Sequence, residues 1–333
     1  MNPVITPVIA HVGYVTDEQP SPDPIGFLLD VLADPVNLLW LAGGAIVLLA
    51  AVAAWAAFRP MEPARRRFVE HAATYRAYVA WMLRLSVGLV LIGAGLSRVL
   101  FAPDVQLEGW PYAALTAIGF LLLLGFAVRA AALAGLALYL AGLVIEPRLF
   151  QIFDVAGGLA AAALVGPGEP SLDSLLRHAF PGAWGGRLAT LAPSSRRYDD
   201  LLPLLVRLGL GGAFIASGIA DKLLIYVQAL AAVDQYNLTA VVPVDAGLWV
   251  VGAALIETAL GVAIVLGLLT RFAAMVGFAV LTLTLFALPD DPVVAHIGLF
   301  GLSSILVVLG AGRLSVDHAL GQVLGRIGAR QAS

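Results

Sequence analysis

The sequence predicts an all-α fold, a polytopic transmembrane helical bundle of about nine spans. Three observations carry that reading: composition, the recurrence of long apolar windows, and the placement of arginines between them. Hydrophobic residues make up 60% of the 333 and charged residues 12%, where soluble domains hold about 45–50% and 25%. Apolar windows of about 20 residues, enough to cross a hydrocarbon core as a helix, follow one another with little polar sequence between. They leave no room for a soluble domain.

In chain order, residues 1–36 are acidic and Pro-rich and are expected to form an extracytoplasmic N-terminal segment. They lack the basic start, short apolar core and small-residue cleavage site of a signal peptide, so none is expected. The first window, 37–58, closes on Phe58-Arg59-Pro60. Windows follow at 80–101, 110–128, 130–146 and 150–166, and after a polar linker at 203–224, 246–268, 271–288 and 293–310. The third and fourth of each group are short or tightly joined.

Charge orients these spans. Placing 59–79, 129, 167–203, 271 and 311–333 on one side, with Arg84 and Arg207 at helix entrances, gathers sixteen of the nineteen Lys and Arg residues there. Only Arg98, Arg148 and Lys222 fall toward the other face. Short basic segments stay cytoplasmic, so the N-terminus is expected outside and the C-terminus inside the cell membrane. Asp104, Glu108, Asp234, Asp245, Asp290 and Asp291 then lie in outer segments. Trp110, Tyr112 and Trp249 fall where an outer aromatic belt is expected, and Trp81 at the inner one. Segments 171–180 and 315–328 read as amphipathic helices on the cytoplasmic surface. The entrance arginines Arg84, Arg129, Arg207 and Arg271 are expected to anchor to headgroups, and Gly88, Gly95, Gly211 and Gly218 to mark close helix packing.

The chain also repeats itself. Arg84-Leu85-Ser86-Val87-Gly88 matches Arg207-Leu208-Gly209-Leu210-Gly211, and Gly95 falls on Gly218 at the same offset. Leu124-Gly125-Phe126-Ala127-Val128-Arg129 matches Leu266-Gly267-Leu268-Leu269-Thr270-Arg271. Gly166-Pro167-Gly168 through Asp173 matches Gly310-Ala311-Gly312 through Asp317. The second copy differs mainly by a longer outer loop, 225–245. Both copies start and end on the basic side, as parallel repeats about an axis along the membrane normal do.

The order Arg-x3-Gly-x6-Gly-x3-Lys, a Glu in the second helix before Leu-Gly-Leu-x2-Arg, then Gly-x-Gly-x2-Ser-x-Asp resembles the DoxX/DoxD family of small four-helix membrane proteins. Residues 203–317 carry the pattern through Arg207, Gly218, Lys222, Glu257, Gly267, Arg271, Gly312, Ser315 and Asp317. Residues 80–173 keep only its frame, with Arg98 displaced from the lysine position and Leu115 standing where the Glu would be. The expected domains are therefore the N-terminal segment, a helix at 37–58, a degenerate four-helix repeat at 80–173, and a linker at 174–202. A second repeat at 203–317 and a cytoplasmic tail at 318–333 complete the chain. The resemblance implies a membrane subunit of a quinone-linked oxidoreductase system, possibly of thiosulfate:quinone type, working with a membrane or soluble redox partner. It equally admits a non-enzymatic membrane assembly or stress-response factor, because the family contains both kinds.

Four residues are candidates for chemistry. Glu257 lies about ten residues into its helix, near mid-bilayer at about 1.5 Å per residue. A carboxyl there either carries a proton or is paired with a cation. It serves as a proton acceptor beside a quinone headgroup or as a hydrogen-bonding link between helices. Lys222, the single lysine, either snorkels outward or pairs with Glu257, though the two stand about 10 Å apart in depth counted at the helix rise. Asp221 is its neighbour. His296 with Asp290 and Asp291 would form an outer polar cluster open to the extracytoplasmic side, where a histidine can shuttle protons. Arg98 and Asp154 are expected to pair in the first copy.

Absences narrow the chemistry. Without cysteine there is no disulfide, iron–sulfur cluster or Cys-based zinc site. Only one of five histidines lies in a span, so no haem is expected, and His296 with two aspartates shows no regular metal-ligand spacing. A bound quinone is the one cofactor the reading admits. The lipid bilayer is the certain partner, and no nucleic acid is expected.

Overall fold

The computed structural model describes residues 21–58, 62–106, 109–179, 195–289 and 293–322. They build a helical bundle with one core cluster that draws on both halves of the chain, including Leu83, Leu91, Leu159, Leu210, Leu302 and Ile305. Six helices are long and apolar enough to cross a membrane, a bent pair would make a seventh, and two shorter apolar helices accompany them. The chain is a multi-pass membrane protein.

α1 (Pro24–Ala33) and α2 (Pro35–Phe58) form the bent pair, meeting at 85°. The N-terminal segment is thus partly helical, because Asp23 caps α1 by accepting from Gly26 N and Pro24 fits the first turn. α3 (Glu62–Thr74) runs through a 3₁₀ turn into α4 (Val79–Leu96), so the stretch expected as a basic loop is helix. α4 stops short of the expected 101. Arg98 and Phe101 have positive φ, and Val99–Leu100 pair antiparallel with Ala102–Gln106 as a short hairpin, β1 and β2.

α5 (Trp110–Leu124), α6 (Val128–Ile145) and α7 (Phe153–Val165) complete the first half, followed by α8 (Leu172–Ala179). The second half begins with α9 (Ser195–Ala216), whose helix widens into a π-helical segment, Ser217–Leu224. The expected outer loop 225–245 contains α10 (Tyr226–Gln235) and a 3₁₀ turn, Leu238–Ala240. Then come α11 (Ala246–Leu266), α12 (Thr270–Ala287) and α13 (Val293–Leu309), with residues 316–322 helical again.

The same local chemistry recurs in the two halves. α5 and α11 both end on a left-handed glycine, Gly125 at φ 71° and Gly267 at φ 70°. The following backbone turns at Ala127 and Leu269, also left-handed. Each turn is held by a distant carboxylate: Asp173 accepts from Ala127 N, and Asp317 accepts from Leu269 N and Thr270 N. The entrance arginines do not reach for headgroups. Arg207, 2% exposed, donates to the carbonyls of Ile264, Val265, Ala311 and Leu314, joining the end of α11 to the turn after α13. Arg271 donates to Val307, Val308 and Leu309 carbonyls, and Arg129 to that of Val165. Helix C-termini leave carbonyls without intrahelical partners, and a five-donor guanidinium satisfies several at once.

Within each half the first helix packs on the second, α4 on α5 and α9 on α11, and the last two pack together. Between halves, α7 lies against α9 and α4 against α13. The α7–α9 crossing is the closest: a Cβ on Gly157 would fall onto the backbone of Gly209, and one on Gly209 would lie 2.8 Å from Gly157 Cα. Gly157→Val is therefore expected to destabilise by about 3 kcal/mol, the upper part of the overpacking range. Thermal unfolding in detergent measures it. A variant as stable as the parent would mean that the halves do not depend on this contact.

Candidate functional site

A cavity of about 570 Å³ opens in the half of the bundle away from the buried arginines. Its wall is mostly apolar, with Phe214, Trp249 and Phe286 among the larger side chains. α9 with its π segment, α11, α12 and α13 supply most of it, and the start of α7 adds Asp154. Glu257 and Lys222 stand on this wall as a direct ion pair, Nζ to Oε2 at 2.7 Å, with side chains 14% and 13% exposed. Lys222 Nζ also donates to Ser217 Oγ at 3.2 Å.

The π segment explains why depth counted along an ideal helix separates the pair. A π turn takes more residues per revolution than an α turn, so Lys222 advances less along the axis and swings toward α11. The approach of the two helices does the rest. A Cβ on Gly218 would lie within 2.7 Å of the Ala254 carbonyl oxygen, so only glycine lets the π segment seat on α11 one turn before Glu257. In the first half Gly95 meets Tyr112 O and Thr116 in the same way, but Leu115 stands where the second half has Glu257.

Stoichiometry of donors matters here. An ammonium has three N–H donors; Lys222 spends one on Glu257 and one on Ser217. Glu257 accepts through Oε2, and its Oε1 has no protein partner among the described residues. The pair therefore offers a ligand one cationic donor and one carboxylate acceptor, side by side in an apolar cavity. A charge-assisted contact at this distance is among the stronger hydrogen bonds, which holds both groups in place.

The remaining candidates divide. His296 lines the same cavity but is completely buried, not open to solvent as expected, because α13 packs into the bundle core at this level. Asp290 and Asp291 lie outside the described residues. Asp221, 1% exposed, is on the same π segment but does not line the cavity. Arg98 and Asp154 do not pair. Arg98 is exposed over the Tyr112 ring, 5.4 Å from its centroid, while Asp154 is buried in the cavity wall beside Gly298. The turn after α4, with Arg98 at φ 58°, directs the arginine away from α7. Trp249 lines the cavity.

Sequence reasoning missed Ser217, Asp154 and Thr284 as cavity residues. Ser217 had a local signal, five residues before the single lysine. Asp154 comes from the other half of the chain, and its approach depends on helix packing alone. Among the described residues, no three His, Asp or Glu side chains are grouped to hold a metal ion.

Residues 202–290 match the DoxX family model, so this segment carries a DoxX domain. The match contains Lys222, Glu257 and the π segment and ends before His296. No curated protein and no solved structure matches the chain.

Proposed function

We propose that this DoxX-group membrane protein binds a lipid-soluble quinone in the cavity beside Lys222 and Glu257, as the membrane subunit of an oxidoreductase whose partner supplies electrons. The observation that carries the reading is the free donor of Lys222 beside the free carboxylate oxygen of Glu257 in an apolar cavity of about 570 Å³. That size lies within the usual range for small-molecule pockets, about 300–1,000 Å³. A quinone ring has a carbonyl to accept from the ammonium, and its reduced form has a hydroxyl to donate to the carboxylate. Phe214, Trp249 and Phe286 suit a planar ring and an isoprenoid tail.

Bound there, a quinone would supply the electron-accepting group, taking two electrons from the partner and two protons at the site. Lys222, braced by Ser217, would orient the carbonyl. Glu257, a carboxylate while paired with Lys222, would first take up a proton and then pass it to the reduced quinone, with Lys222 balancing the carboxylate charge before and after the transfer. His296 and Asp154 line the same cavity and would serve the second proton.

The same reading sets the buried-arginine end in the cytoplasm, the N-terminus outside and nine spans across the membrane, the two shorter apolar helices included. The recurrence of left-handed turns, carboxylate clamps and arginine–carbonyl bonds in both halves supports a tandem origin with the site kept only in the second. Lipid-extract mass spectrometry of protein purified in mild detergent tests the function. Near-stoichiometric quinone is expected with the wild type and none with Glu257→Ala. Quinone in neither sample would overturn the redox reading and leave the non-enzymatic assembly or stress-response role.

A further inference from the structure

Residues 225–245, the stretch by which the second half exceeds the first, cover the cavity at the end away from the buried arginines. α10 and the 3₁₀ turn after it supply Ala229, Ala232, Val233 and Leu238, all buried, which line the cavity and pack with Val250 in one apolar cluster. The N-terminal helix straps this roof. Phe27 of α1 stacks on the Tyr226 ring at 4.2 Å, the Tyr226 hydroxyl donates to Pro22 O at 2.9 Å, and Val227 N donates to Ser21 Oγ at 3.1 Å.

The exposed part of the wall lies elsewhere. Ile256 on α11 is 59% exposed, and Leu283 and Phe286 on α12 are 67% and 81% exposed. Val241, just past the roof, is exposed as well. The ionisable residues of the wall, Lys222, Glu257, Asp154 and His296, are buried or half-buried. α11 packs chiefly on α9 and α12 chiefly on α13, so the α11–α12 seam is the sparser one. An opening rimmed by apolar side chains matches hydrocarbon rather than water. Ile256 stands midway along α11, at acyl-chain depth for a spanning helix, and directly precedes Glu257. On the reading of the cavity as a quinone site, we propose that the α11–α12 seam is a lateral portal to the bilayer. The quinone enters through it, and its tail stays there between Ile256 on one side and Leu283 and Phe286 on the other, which makes the site selective for long-tailed quinones.

A benzoquinone with a decyl tail ending in a diazirine, photolysed with the full chain in proteoliposomes, reports where the tail leaves the protein. Peptide mapping is expected to place the label on α11 and α12 around Ile256, Leu283 and Phe286, and decyl benzoquinone without the diazirine to compete it away. Ile256→Trp/Leu283→Trp narrows the seam at two exposed positions, where added bulk does not disturb the core. That variant is expected to bind the decyl quinone several-fold more weakly than the wild type and the tail-less ring equally well. Simple partition of the tail into lipid would not produce such a difference. Competed label falling chiefly on the roof, residues 226–241, or equal binding of the tailed ring by both proteins, would overturn the portal and leave the quinone reading standing. No competed label anywhere, with neither ring bound, would overturn the quinone reading and the portal with it.

Discussion

Lys222→Met is expected to be the most disruptive single substitution in the cavity. It leaves the Glu257 carboxylate without its cation in an apolar wall, where each side chain is nearly nine-tenths buried. Breaking a buried ion pair from one side costs about 3–5 kcal/mol, and the residual exposure of this one places it near 3. Glu257→Gln should cost less, because a neutral amide still accepts from the ammonium. The double variant Lys222→Met/Glu257→Gln should be more stable than Lys222→Met alone, since it removes the uncompensated charge. Apparent unfolding midpoints in one detergent, arranged as a double-mutant cycle, measure this. Simple additivity would mean that the two groups do not depend on each other. Quinone retention gives an independent readout. The double variant is expected to recover stability but not quinone, which separates a binding role from a structural one.

The second large effect is expected at Arg207, far from the cavity. Arg207→Gln removes most of a set of bonds to the carbonyls of Ile264, Val265, Ala311 and Leu314. Bonds to charged donors contribute about 1.5–3 kcal/mol each, and losing several at a junction of chain segments should cost about 3–5 kcal/mol in all. Arg207→Lys should rescue little, because one compact ammonium cannot span four carbonyls. A headgroup anchor would behave differently, since lysine would serve nearly as well. The fraction of monodisperse protein after purification, with unfolding midpoints, distinguishes the two. Arg84→Gln, which gives up a single carbonyl bond, should cost distinctly less than Arg207→Gln.

The two halves show where sequence patterning stops. Their arginines, glycines and aspartates stand at matching positions. The arginines and the aspartates share one side-chain bond each, Arg84 to Pro170 O as Arg207 to Leu314 O and Asp173 to Ala127 N as Asp317 to Leu269 N, while the second half adds further bonds at both residues. Yet the spans could not reveal that α4 would end at Leu96, or that 225–245 would hold a helix. Hydropathy reports burial in lipid and is silent about left-handed turns and interfacial helices.

The membrane class, most of the helical windows and the choice of Lys222 and Glu257 as candidates came from composition and position alone. In a bilayer every backbone group must bond within its own helix, and each ionisable side chain is costly enough to stand out in the sequence. Tertiary packing decided the rest. The widened π turn brings Lys222 to Glu257, and helix crossing delivers Asp154 from the other half and buries His296. It also turns the entrance arginines inward onto helix-end carbonyls. These outcomes depend on where separate helices meet, and on unsatisfied carbonyls at their ends, neither of which a hydropathy pattern along one chain encodes.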